Sequence, residues 1–218
     1  MHNYLGMVLD FSETGYVHIN QTGMIQEIVK SPGAQQLEAA IGATAKEPKT
    51  PSHDKLFQHS DGSAPLPAYL VKELHSLTAK ILFVANRGRP DVITFVSYMT
   101  KRVLAPSIED GKKLLRAIAY LSQTAELDLR LGIKGALQVS VYIDASFAVH
   151  DDMKSHSGTA ITLGHGAYYT KSTAQAEYNV VVRSGASRPI QRDATGPLVP
   201  GLYSCSRRTE QPYQSVSR

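Results

Sequence analysis

Between Leu70 and Leu121 the apolar residues return every three or four positions, and from Val139 onward they alternate. That change of period, from helix to strand within one chain, is the strongest constraint on its fold. Leu70, Leu74, Leu77, Ile81 and Leu82 share one stripe of a helix over Ala68–Asn86. Arg87-Gly88-Arg89-Pro90-Asp91 ends it, because a residue before proline is driven out of the α region. Asp91–Leu104 reads as a second helix, stopped by Pro106. The third starts at Ser107, where Ser-Ile-Glu-Asp is a capping-box variant with Asp110 at the third position. Its apolar face is Leu114, Leu115, Ile118 and Leu121, while Lys112, Lys113 and Arg116 are expected to stay wet. LDLRL and ALQVSVYIDAS then turn to strand mode, and SGTAITL and AYYTKS continue it. Three consecutive β-runs with short links predict an antiparallel meander after the mostly helical segment, with a boundary near Gly132–Gly135. The fold class expected is α+β.

The segments flanking this block are less regular. Tyr4–Phe11 and Tyr16–Asn20 surround a glycine-containing turn and predict an N-terminal β-hairpin. Thr22–Lys30 places Met24, Ile25, Ile28 and Val29 at helical spacing, after a candidate N-cap at Thr22. Residues 31–67 carry Pro, Gly, Ser and Asp at turn density and read as loop. From Ala174 the composition shifts: the last 45 residues hold 6 Arg and no Lys, against 12 Lys and 5 Arg in residues 1–173. Residues 174–218 are expected to be a disordered tail.

Composition bounds the function. The chain has 218 residues, 42% of them apolar, which suffices for a real core. A formal net charge of +4 is compatible with a nucleic-acid partner. Cys205 is the single cysteine, so there is no intramolecular disulfide and no CxxC metal site, and a reducing intracellular compartment fits. No apolar run of membrane length occurs, and the first residues do not read as a signal peptide. No small-molecule substrate is implied.

Three groups of residues could carry chemistry. Asp144 sits within a strand pattern, on the face opposite Val139, Val141 and Ile143. It is either a solvent-facing strand aspartate or a metal-binding carboxylate of a phosphodiester-cleaving site. A divalent cation needs several hard oxygen ligands, so further carboxylates would have to come from elsewhere. His150, Asp151, Asp152 and His156 could converge on a metal, but a polar hairpin loop is the better reading. Gly164-His165-Gly166 reads as a turn, and Lys112, Lys113 and Arg116 as a basic helix face able to touch phosphates.

Four segments resemble, in order, the region that follows the polymerase palm in copia-type retrotransposon polyproteins. These are HNYLGMVLDFSETGYVHINQTGMIQEIV from His2, GRPDVITFVSYMTKRV from Gly88, IEDGKKLLRAIAYLSQTAELDLRL from Ile108 and YIDASFAVHDDMKSHSG from Tyr142. The resemblance covers roughly residues 2–173. It implies a reverse-transcriptase thumb and connection over residues 1–133, holding a template–primer duplex. It implies an incomplete RNase H-like antiparallel β-meander over residues 134–173, in which Asp144 matches the first metal carboxylate. The parent activity would be RNA-directed DNA synthesis and RNA–DNA hybrid cleavage with Mg²⁺. The palm with its paired aspartates would precede Met1, and nothing like it stands in these residues. The family pattern that continues after Lys171-Ser172-Thr173 carries a second metal glutamate. Here Glu177 is the nearby glutamate, and its flanks do not match. Val180–Pro189 can be encoded so that a one-base shift restores the expected SSxEAEL, so the tail is read as translated out of frame. The chain is expected to be a truncated fragment, derived from a polymerase and ribonuclease but inactive as either. Asp144 would be vestigial and no Mg²⁺ functional. A non-enzymatic nucleic-acid-binding module and a product of a decayed element are the alternatives.

Overall fold

A computed structural model describes residues 1–42, 47–58, 62–133, 135 and 137–175. Within them the chain is α+β, with five α-helices and two antiparallel sheets. The expected disordered tail, including Glu177 and the Val180–Pro189 stretch, lies outside the described residues except for Ala174 and Gln175.

The N-terminal region folds into three strands rather than two. β1 (His2–Tyr4), β2 (Met7–Asp10) and β3 (Tyr16–Asn20) pair in sequence order. The run read as one strand, Tyr4–Phe11, is cut at Leu5-Gly6, where φ is 50° and 77°. Two successive positive φ values make the two-residue turn that suits the right-handed twist of a hairpin. Leucine is a rare occupant of its first position, so the turn carried no local signal.

α1 (Thr22–Val29) forms as expected, although Thr22 lies inside it and Gln21 stands at the N-cap. The Thr22 hydroxyl donates to the Ala125 carbonyl instead, tying α1 to the end of α5. Residues 31–67 are not all loop, because α2 spans Pro32–Ile41. Pro32 occupies the first turn, where its missing N–H costs nothing, and the Ser31 side chain accepts from the Ala34 N–H. A proline read as a breaker is here a helix start.

α3 (Ala68–Arg87) follows the expected stripe. Pro90–Val92 then makes a 3-10 turn, and α4 begins later than expected, at Ile93, and ends at Arg102. α5 (Ile108–Gln123) opens with both arms of the capping box, the Ser107 side chain accepting from the Asp110 N–H and Asp110 from the Ser107 N–H. The five helices enclose one apolar core, in which Ile25, Leu37, Leu70, Leu74, Ile81, Met99 and Leu114 are inaccessible to water and Phe95 is 1% exposed. Burial of such side chains stabilises by about 1.5–3 kcal/mol each. α2 meets α5 at Gly111, where a Cβ would come within 2.7 Å of the Ile41 Cδ1.

β4 (Leu129–Ile133) lies before the meander. It pairs with β3, placing Leu129 opposite Ile19 and Gly132 opposite Tyr16. β5 (Ser140–Ser146), β6 (His156–Thr162) and β8 (Ala167–Ala174) form the expected meander in the order β5-β6-β8. Between the last two, Gly164-His165 is not merely a turn: it is β7, which pairs with β4 and makes the first sheet β1-β2-β3-β4-β7. The first sheet therefore draws strands from both sides of Gly132–Gly135. The second sheet packs its β8 against α4. Among the described residues, no apolar side chain after Ala125 belongs to the buried core, and Ser155, His156 and Ser172 are the buried residues of the second sheet and its connecting loop.

Candidate functional site

Asp144 lies on β5 with Tyr142 and Ser146 on one exposed face, while Val141, Ile143 and Ala145 are half-buried on the other, as the alternation requires. Its Oδ1 accepts from the Ala145 N–H at 2.9 Å. Directly across the ladder stand Gly158 on β6 and then Ser172 on β8. A Cβ on Gly158 would meet nothing within 4 Å, so the space beside the carboxylate is open. Among the described residues no three His, Cys, Asp or Glu side chains converge as a metal-holding group. Magnesium takes near-ideal octahedral oxygen coordination, and one exposed carboxylate beside a glycine does not provide it. The described residues therefore do not fit a magnesium site at Asp144. Glu177 lies outside them.

The basic residues of α5 are not equivalent. Lys112 is exposed. Lys113 does not stay wet: its Nζ donates to the Leu56 carbonyl (3.1 Å), the Gln58 carbonyl (2.8 Å) and the Tyr98 hydroxyl (3.2 Å), and pairs with Glu109 at 3.3 Å. Arg116 is half-buried, with its NH1 against the His53 ring nitrogen and its NH2 donating to the Thr50 hydroxyl. The two cations strap the 47–58 segment across α5. Helical periodicity showed the polar face correctly, but the cover over it comes from about sixty residues earlier in the chain.

A cationic face that the sequence reading did not single out stands on α3. Lys72, His75, Lys80 and Arg87 are all exposed, on the side opposite buried Leu70, Leu74, Leu77 and Ile81. At about 1.5 Å rise and 100° per residue, Lys72, Lys80 and Arg87 fall within roughly 80° of one another over about 22 Å of helix. Arg87 also stacks over the Phe83 ring at 5.5 Å. Glu73, the acidic residue beside the stripe, is turned onto α2, where a Cβ at Gly33 would meet its Oε2 at 2.3 Å. The signal was present in the sequence, in the lysines and arginine that interleave with the apolar stripe.

Elsewhere single lysines such as Lys30, Lys101 and Lys171 are also exposed, while other charges are internally matched or acidic. Arg89 is buried and donates twice to Asp91 (3.0 and 2.7 Å) and twice to Thr124 (2.7 and 2.7 Å), while Tyr120 donates to Asp91 at 2.8 Å. Although burial opposes it, the Arg89 hydrogen bonds and charge leave the Asp91 carboxyl below its ordinary value. On the first sheet, Glu13 pairs with Arg130 and His18, and His18 also meets Asp128 at 2.6 Å. Arg130 and then His18 hold the Glu13 carboxyl down at about 2, and Glu13 and then Asp128 raise His18. A cleft of about 480 Å³ beside them is bordered by Asp10, His18, Glu126 and Asp128 and would repel phosphate.

His150 and His156, read from the sequence as possible metal partners, do converge. Their Nε2 and Nδ1 are 3.0 Å apart, under the Phe57 ring. Asp152 instead pairs with Lys154 at 2.5 Å.

Comparison with known proteins gives one informative match. A transposon Ty5-1 protein of Saccharomyces cerevisiae is 29% identical over 120 residues, 55% of this chain and 39% of the relative. This similarity supports a retroelement origin. The matched region spans about two-fifths of that relative's length. No protein-family model matches the chain, and no solved structure matches it.

Proposed function

We propose that the chain is a piece of a copia-type retroelement polyprotein that grips nucleic-acid phosphates without copying or cutting the strand. The exposed cationic face of α3 carries this proposal. Lysine and arginine along one helix face match a polyanion, and they bind by releasing its counterions. The resemblance to a reverse-transcriptase thumb and connection, the retroelement similarity, and the +4 net charge support the same partner. Asp144, on the β5-β6-β8 meander, is assigned as the vestige of an RNase H metal carboxylate, on the resemblance carried by YIDASFAVHDDMKSHSG. Lys112 adds one exposed cation on α5, whereas Lys113 and Arg116 serve the fold first.

The test is binding of a short RNA–DNA hybrid across a salt series. The wild-type affinity is expected to fall linearly in log–log form. A Lys72→Glu/Lys80→Glu/Arg87→Glu variant is expected to lose about 2–3 from the slope, at roughly 0.9 per phosphate contact. Lys112→Glu is expected to lose about 1 at most. Absent or salt-insensitive binding refutes the proposal. So does Mg²⁺-dependent cleavage of the hybrid that Asp144→Asn abolishes.

A further inference from the structure

The second sheet meets the helical body through a polar seam, and one continuous hydrogen-bond chain crosses it. His150 Nε2 faces His156 Nδ1 at 3.0 Å, His156 Nε2 faces the Ser172 Oγ at 2.6 Å, and the Ser172 hydroxyl donates to the Thr94 Oγ1 at 3.1 Å. The Ser97 hydroxyl donates to the Ser172 carbonyl at 2.6 Å, a second α4–β8 link. We propose that this chain is an acid-released latch that docks the three-stranded sheet, through β6 and β8, onto α4. The proposal stands independently of nucleic-acid binding.

His156 Nδ1 and Nε2 both face neutral polar groups, the His150 ring nitrogen and the Ser172 hydroxyl, so a single ring proton completes the chain. The residue is only 7% exposed, and neither of these partners is a carboxylate. A second proton would therefore bury a positive charge beside another imidazole with no counter-charge hydrogen-bonded to it. Undocking returns that charge to water. The seam has little else to hold it, since no buried apolar core residue lies on the second sheet among the described residues.

The charges around the latch act on the same proton. From α4, Lys101 opposes a second positive charge, and Arg102 is engaged by Asp110. The β5–β6 connection brings His150, Asp151, Asp152 and Lys154; burial and then Lys101 hold His150 below its ordinary value, against the opposing pull of Asp152 and Asp151. On β5, Ser146 stands opposite His156, and Asp144 lies two positions along the same face. Phe57 stacks on both rings without charge, and behind it stand Tyr98 of α4 and Lys113 and Glu109 of α5. Burial first, then His150 and Lys101, hold His156 down at about 4, against its ordinary 6.5. The undocked imidazole takes up its proton near 6.5 and the docked one only near 4. Docking is therefore complete above that window and lost progressively as the pH falls through it.

Amide hydrogen exchange of the full chain between pH 7 and 4, corrected for the chemical exchange rate, tests this. Protection of β8 amides is expected to fall about tenfold or more relative to α3 as the pH drops from 6.5 to 4.5, one order of magnitude per unit of pKa difference being the scale. His156→Gln, which cannot titrate, is expected to remove that acid step. Thr94→Val, which removes the last acceptor but keeps the imidazole, is expected to lower β8 protection at every pH and preserve the step. A wild-type β8 with no acid step overturns the latch, as does the same step surviving in His156→Gln. An NMR titration of wild-type His156 needs no variant: a midpoint at the ordinary 6.5 also overturns it.

Discussion

Replacing Asp110 by alanine gives the sharpest test of how this fold is held. The side chain is fully buried at the start of α5. Its carboxylate accepts from the Ser107 N–H at 2.9 Å, the Ser107 hydroxyl at 3.0 Å and Arg102 Nε at 3.1 Å, and Arg102 NH2 stands at 3.1 Å. The Tyr98 hydroxyl adds a longer contact at 3.4 Å, and burial is the main cause that pushes that phenol above its ordinary range. Loss of one arm of the cap costs about 1 kcal/mol. Removing one partner of a fully buried ion pair costs about 3–5 kcal/mol. Here the Arg102 side chain keeps 29% exposure, so water re-solvates the orphaned guanidinium and the ion-pair part falls below that range. The sum is about 3 kcal/mol. With a urea dependence of about 2 kcal/mol per molar, the unfolding midpoint should drop by about 1.5 M at unchanged slope. Asp110→Asn keeps an acceptor for Ser107 and should lose roughly half as much. A loss below about 1 kcal/mol in the alanine variant would refute the claim that the box and the Arg102 pair act together.

Three further outcomes follow from the same geometry. Arg89→Met should destabilise by about 3 kcal/mol in urea unfolding, because Asp91 keeps only the Tyr120 hydroxyl as a side-chain donor and the Thr124 carbonyl loses the Arg89 N–H in a partly buried site; a change within about 0.5 kcal/mol, the scale of an ordinary surface substitution, contradicts this. Lys113→Met should release the 47–58 segment, read as faster limited proteolysis there with α5 still helical by circular dichroism; unchanged cleavage removes the strap assigned to Lys113. His18, held between Glu13 and Asp128, should titrate above 6.5 by NMR. Its link between β3 and β4 is therefore present below that value and lost as the pH rises through the folded one, and a midpoint at or below 6.5 contradicts the cluster.

What the amino-acid order determined by itself was local. The α3 stripe, the Arg89-Pro90 break, the Ser107–Asp110 box and the alternation of β5 all depend on residues within a few positions of one another. Each was therefore legible in the amino-acid sequence, as were the exposed face of Asp144 and the order of the meander. The tertiary structure decided what those elements touch. LDLRL had strand character but no mark of its partner, and β3 rather than β5 took it. Lys113 showed its polar face in the helical period, yet a segment nearly sixty residues away captured its ammonium. His150 and His156 lay six apart in a polar loop, and only the β5–β6 register and α4 made them one hydrogen-bonded chain. Periodicity and capping are energies of neighbours along the chain. Strand pairing and buried polar contacts are choices among distant partners, settled by which arrangement leaves the fewest polar groups unsatisfied when the core closes.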